Sequence, residues 1–195
     1  PLVKETIKGS SSKSYLFQTP SQSINYVECH DNCTFYDKLS KDVYNLGEED
    51  KVKYVILSLG LVILSIGIPF IHAGEEAMRS KKGIDNTYNA SLDVNGIDLL
   101  SNPYHNIVEA LKYFISFRKE QSIYKINDSD TIDDLIEFDV LNDSTLRMKT
   151  KMFDIIFKNN KQELVLNYEN LEIIYNGIVY NQNSFKDIGV YIIRK

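Results

Sequence analysis

The most constraining feature of this sequence is a run from Tyr54 to Ala73 that holds no Asp, Glu, Lys or Arg. Three carboxylates precede it at Glu48, Glu49 and Asp50, where the positive end of a helix dipole favours negative charge. A helix is therefore expected from Glu48 to about Ser65. After Tyr54 it is apolar on nearly every side, which demands burial on all faces or a membrane. Gly67 and Pro69 break the helix, and the β-favouring Ile68-Pro69-Phe70-Ile71 then runs into Gly74-Glu75-Glu76. A buried helix feeding a buried parallel strand accounts for the run better than a membrane span.

Residues around this run fall into two grammars. Residues 1 to 22 are rich in Ser, Lys and Thr and read as a loop, with a turn at Thr19-Pro20-Ser21-Gln22. Ser23 to Cys29 reads as a strand that enters the polar cluster His30-Asp31-Asn32. The long polar stretch from Glu75 to Tyr104 suits a functional loop. Asn106 to Glu120 follows with a helical apolar stripe at Ile107, Val108, Leu111, Phe114, Ile115 and Phe117. Beyond Gln121 come short β-like segments, among them Leu135 to Leu141, Met152 to Asn159, Glu163 to Leu166, Leu171 to Tyr175 and Gly189 to Ile193. They predict about six or seven antiparallel strands in a small sandwich. The expected division is residues 1–121, an α/β unit, and residues 122–195, an all-β unit.

Composition excludes several classes. With 195 residues, 43% hydrophobic and 25% charged, the chain can bury one good core or two small ones and is neither disordered nor collagenous. A net charge of −5 with no basic face argues against nucleic acid and anionic membranes as partners. Cys29 and Cys33 are too few for a disulfide scaffold and leave localisation open, with a cytoplasmic site slightly favoured over secretion. The start at Pro1, without Met or a signal-like progression, reads as a cut end.

Chemistry concentrates at Cys29-His30-Asp31-Asn32-Cys33, just past a strand end, where parallel α/β folds place their sites. Zinc is one reading. Contiguous residues at a strand end point in alternating directions, however, and no second CxxC or HxxxH pair accompanies them, so no metal is expected. A Cys29–Cys33 disulfide would need a tight local turn. His30 and Asp31 could serve in an Asx-type turn, or as an imidazole and carboxylate holding sugar hydroxyls and stabilising positive charge at an anomeric carbon.

Motifs decide between these readings. Ile24-Asn25-Tyr26-Val27-Glu28-Cys29-His30-Asp31-Asn32, continuing Thr34-Phe35-Tyr36-Asp37-Lys38-Leu39, resembles the fourth conserved region of the α-amylase superfamily in its bacterial type I pullulanase form. Gly67 to Glu76 is similar to that superfamily's Gly-x-Pro-x-x-x-x-Gly-x-Glu signature at the eighth barrel strand. Met78-Arg79-Ser80-Lys81, Asn86-Thr87-Tyr88-Asn89 and Val94-Asn95-Gly96-Ile97-Asp98 resemble the loop that follows. The resemblance covers about Ser21 to Lys119, and beyond that only the architecture is similar.

This resemblance implies the last strand–helix units of a (β/α)8 barrel followed by a small antiparallel β-sandwich. It implies that Asp31 is the carboxylate that stabilises the transition state and His30 its hydroxyl-binding neighbour. Arg79, Tyr88 and Asn89 match positions near the glucose subsites, whereas Glu75 and Glu76 read as structural anchors, His72 as a satisfied core histidine and His105 as an exposed residue at a helix start. Tyr36 and Leu99 stand where the family commonly has Trp. The implied activity is α-1,6 cleavage of pullulan, glycogen or starch-derived dextrins by a retaining mechanism. The nucleophile and general acid would come from the missing N-terminal part of the same enzyme, so the fragment alone should be inactive. No cofactor is implied, and calcium only in the missing part. The alternative is a noncatalytic carbohydrate-binding or interaction module presenting Tyr168, Tyr175, Tyr180 and Tyr191 outward.

Overall fold

The structure is a computed structural model that describes residues 2–11, 17–41, 45–98 and 100–195. Among them, in chain order, are α1 (Leu2–Ile7), β1 (Ile24–Asn25), α2 (Phe35–Lys41), α3 (Glu48–Ile63), β2 (Ile68–Pro69), α4 (Leu92–Asn95), α5 (His105–Glu120) and α6 (Ser129–Leu135). The strands β3 (Glu137–Asn142), β4 (Thr145–Lys149), β5 (Phe153–Lys158), β6 (Leu164–Val165), β7 (Glu172–Tyr175), β8 (Ile178–Val179), β9 (Ser184–Phe185) and β10 (Gly189–Arg194) follow.

Helix α3 forms where the three carboxylates predict it, and its middle and end are buried from Val55 to Gly60 and again at Val62 and Ile63. Its neighbour α5 buries Ile107, Ala110, Phe114 and Phe117, a stripe at three- and four-residue spacing. Arg118 on α5 donates from Nη1 to the carbonyl of Ile63 at 2.7 Å and from Nη2 to that of Gly67 at 2.7 Å. The Ile63 carbonyl, left open at the end of α3, thereby gains a charged donor. Among the described residues, no helix is long and apolar enough to cross a membrane.

The expected parallel pairing is present. β1 and β2 run parallel with Ile24 opposite Ile68 and Asn25 opposite Pro69, joined through α3. Both strands are shorter than the sequence suggests, and β2 is not buried: Ile68 is 47% exposed, and Phe70, just past the strand, 42%. The reason is visible in the sheet, since the pair has only two strands and no third strand covers either edge among the described residues.

Beyond α6 the antiparallel region forms a six-stranded sheet, ordered β3-β4-β5-β10-β7-β8, and a two-stranded pair β6-β9. The layers are thus unequal. The central strands β5 and β10 are buried on both faces. One face sends Ile155, Phe157, Val190 and Ile192 into a core shared with α3 and α5, and the other sends Ile156, Tyr191 and Ile193 against Tyr168 and Phe185. Residues on either side of the expected boundary at Ser122 therefore share one apolar cluster.

Other expectations need correction. Residues 2–7 are helical rather than loop, and α2 and α6 were not expected. The four tyrosines do not face outward: Tyr191 is fully buried, Tyr168 is 9% exposed, and Tyr175 stacks on Tyr191 with ring centroids 4.6 Å apart. Tyr180 packs edge-on to Tyr191 at 5.5 Å. Both cysteines are free. Leu99 lies outside the described residues, as do residues 12–16 of the expected N-terminal loop.

Candidate active site

Two segments build the site, residues 26–41 after β1 and residues 70–98 after β2. The chain leaves β1 at Asn25, bends, and turns sharply at Asn32, whose φ of 63° is left-handed. Asn tolerates that region better than most residues. Thr34 then begins α2, its Oγ1 accepting from the Asp37 amide at 3.1 Å. In the second segment Gly74 has φ 94°, and a Cβ there would lie 3.0 Å from Arg79 Cβ and Cδ. Glycine is what permits the turn that brings Arg79 back over the loop.

Between these segments lies a cleft of about 150 Å³ lined by His30, Asp31, His72, Arg79, Lys81, Asn86, Thr87, Tyr88 and Asn95. His30, Asp31, Arg79 and Tyr88, singled out in the sequence, meet there. Asn89 is exposed and does not line the cleft. The side chains of His30 and Asp31 are 84% and 73% exposed, with His30 Nε2 3.4 Å from Asp31 Oδ2. Tyr88 projects into solvent, and the Asn95 side chain braces its loop by donating to the carbonyls of Thr87 at 2.6 Å and Ala90 at 3.2 Å.

Behind the exposed pair is a layer of buried ionisable groups. Glu28 is buried; one carboxylate oxygen is 2.9 Å from His72 Nδ1, and the other accepts from the Phe35 amide. His72 is accordingly satisfied, and its Nε2 lies 3.5 Å from Arg79 Nη1. Arg79 Nη2 donates to the Asn95 carbonyl at 2.8 Å. Lys81 is fully buried and donates from Nζ to the carbonyls of His30 at 2.8 Å and Asn32 at 2.7 Å. Asp37 accepts from Ser80 Oγ at 2.6 Å and from the Lys81 amide at 2.8 Å. Burial pushes the Asp37 carboxyl up, but these hydrogen bonds outweigh it and hold the group below the usual carboxylate range.

Glu75 behaves differently. It is 3% exposed, and burial, with Glu28 and Glu76 nearby, pushes its carboxyl up to about 8. Glu76 Oε2 accepts from the Gly74 amide at 3.1 Å, a local structural contact. His105 is exposed at the first position of α5. Glu28 and Lys81 received no role from the sequence. The one available signal for Glu28 is a carboxylate set between Val27 and Cys29 in a segment that reads as a strand, while Lys81 sits in a basic run that reads as solvated surface.

An open cleft floored by buried charges, with an imidazole and a carboxylate at its mouth, offers hydrogen-bonding groups to a polar ligand. Comparison with known proteins points the same way. No protein-family model matches the chain. Pullulanase of Bacillus subtilis (strain 168) is 37% identical over 108 residues, which is 55% of this chain and 15% of that protein.

The chain is similar to pullulanases. Chloroplastic pullulanase 1 of Arabidopsis thaliana is 38% identical over 80 residues, 40% of this chain and 8% of that protein. The crystal structure of pullulanase from Anoxybacillus sp. LM18-11 complexed with maltotetraose matches all of this chain and 30% of its own, with a TM-score of 0.88 and 28% identity. Pullulanase from Bacillus acidopullulyticus matches all of this chain and 26% of its own, with a TM-score of 0.87 and 25% identity. The similarity therefore reaches past the motif-bearing segment to the antiparallel sheet. The aligned segment covers about a seventh of the Bacillus subtilis relative, well under two thirds of its length, and the region matched is the C-terminal one. Pullulanases are glycoside hydrolases, and the chain matches a small part of them.

Proposed function

We propose that this chain is the C-terminal part of a retaining debranching enzyme that cleaves α-1,6-glucosidic bonds of pullulan, glycogen or starch-derived dextrins. In this reading β1, α3 and β2 are consecutive units of a (β/α)8 barrel that ends near Gln121, and residues 122–195 are the appended sheet domain. The observation that carries the reading is the convergence of His30, Asp31, Arg79 and Tyr88, from two segments about fifty residues apart in sequence, on one cleft at the carboxyl ends of two parallel strands. Structures of similar proteins complexed with maltotetraose and maltotriose support an α-glucan as the ligand.

Asp31 would stabilise the oxocarbenium-like transition state, and His30 would hold a sugar hydroxyl beside it. Arg79, Tyr88 and Asn89 would border the glucose subsites. A retaining reaction also needs a nucleophile and a general acid about 5 to 5.5 Å apart. Those two groups would be supplied by the preceding part of the same enzyme, and no cofactor is required.

The test is reducing-end release from pullulan by this chain, by the intact enzyme and by its Asp31→Asn variant. This chain alone should be inactive, and Asp31→Asn should lose roughly 100-fold or more in kcat with a smaller change in ground-state binding. Turnover by this chain, or an undiminished variant, refutes the assignment.

A further inference from the structure

The mouth of the cleft carries a second chemical possibility. Cys29, His30 and Asp31 each bring a metal-ligating atom to within 4.8 Å of the other two. The alternation that would separate neighbouring side chains in a strand does not operate here, because β1 ends at Asn25 and the chain bends at His30, Asp31 and Asn32. We propose that Cys29, His30 and Asp31 form a three-ligand chelate for a divalent cation of the zinc type.

Geometry, charge and rigidity support this. Tetrahedral zinc with ordinary Zn–S, Zn–N and Zn–O bonds sets its ligand atoms roughly 3.2 to 3.7 Å apart. His30 Nε2 and Asp31 Oδ2 are already 3.4 Å apart, and both side chains are exposed enough to rotate the remaining distance. A thiolate and a carboxylate balance the two positive charges, and thiolate with imidazole selects zinc over calcium or magnesium. The backbone beneath the ligands is fixed, since Lys81 Nζ holds the carbonyls of His30 and Asn32 from below.

A cation held here occupies the carboxylate that the proposed reaction uses, so zinc would inhibit the intact enzyme; this consequence rests on the function proposed above. Binding itself does not, and is read by titrating this chain with Co²⁺ as a spectroscopic stand-in for zinc. The expected result is one equivalent bound with a thiolate-to-cobalt charge-transfer band, displaced by Zn²⁺. Cys29→Ser should abolish the band and weaken binding at least about tenfold, whereas Cys33→Ser should retain it. A titration without the band, or a band that survives Cys29→Ser and disappears with Cys33→Ser, overturns the site. In the intact enzyme, Cys29→Ser should raise the Zn²⁺ concentration for half-inhibition at least about tenfold. Equal inhibition of both forms overturns the inhibitory role. Because the cobalt band does not depend on glucan turnover, failure of the metal site and failure of the debranching assignment are separable.

Discussion

Lys81→Met tests whether the His30–Asp31 turn is held in place from beneath. The wild-type ammonium is fully buried and makes charge-assisted hydrogen bonds of 2.8 and 2.7 Å to two backbone carbonyls. Each such bond contributes about 1.5 to 3 kcal/mol, so the pair contributes about 3 to 6 kcal/mol. Burying the ammonium opposes this by several kcal/mol. Methionine keeps most of the stem volume and removes both terms, so the global change should be small, within about 2 kcal/mol, or roughly 4 to 8 °C in Tm. The local change should be larger, because the carbonyls of His30 and Asn32 lose a buried anchor while solvent lies next to them. A loss of about 2 kcal/mol of local restraint corresponds to roughly 30-fold faster exchange of the Phe35 amide, whose acceptor is Glu28. Hydrogen exchange followed by NMR, with a urea melt alongside, separates the two effects. Unchanged exchange at Phe35, or a collapse of global stability with exchange accelerated everywhere, refutes the anchoring argument.

Three further outcomes are expected. Gly60→Ala should destabilise the chain by about 1 to 2 kcal/mol, since its Cβ would lie 2.5 Å from Val190 Cγ2 and overpacking outweighs the gain in helix propensity; Val190→Ala should cost less in that background than alone, as a urea double-mutant cycle would show. Glu75, held protonated up to about 8, makes the folded state bind more protons than the unfolded one, so its contribution falls as pH rises from about 4.5 to 8; Glu75→Gln should flatten that part of the stability–pH curve and gain stability at pH 8 relative to wild type. Asp37 has the opposite sign, its folded carboxyl lying below the unfolded value of 3.8, so it stabilises above that pH and loses this as pH falls further; Asp37→Asn should remove that acid-sensitive component, measured as a smaller drop in Tm on acidification.

Periodicity carried the elements whose burial is one-sided or total. The stripe on α5, the apolar length of α3 and the short apolar runs of β5 and β10 are all written as patterns of apolar residues, and the parallel β1–β2 pair follows from strand, helix, strand. Short helices are a different matter. In α2 only Phe35, Tyr36 and Leu39 are apolar, and α1 sits at the head of a Ser/Lys/Thr-rich run, so neither spans enough turns for a period to emerge. His30 and Asp31 were legible as a motif, and Arg79 and Tyr88 through resemblance. Glu28 and Lys81 were not, because ionisable residues default to solvent and their burial depends on partners more than forty positions away.

Those distant partners define how the site is assembled. The segment carrying His30 and Asp31 is tied to the segment after β2 by Glu28 to His72, by Asp37 to Ser80 and the Lys81 amide, by Lys81 to the His30 and Asn32 carbonyls, and by Lys41 to the Gly83 carbonyl at 2.6 Å. Cys33 adds a contact to Asp85, with Sγ 2.6 Å from Oδ1. β1 and β2 pair over only two residues each, so polar cross-links extend the registration of the two loops past the strand ends. Apolar packing would hold the loops together while allowing small slides, since it has no direction; hydrogen bonds with buried charge fix angle as well as distance. Losing one partner leaves the other charged and desolvated, which makes intermediate arrangements costly. A ligand such as the proposed glucan must be placed to a fraction of an ångström and is served by that stiffness, and the side chains of His30 and Asp31 can stay exposed because the rigidity lies in the layer beneath them.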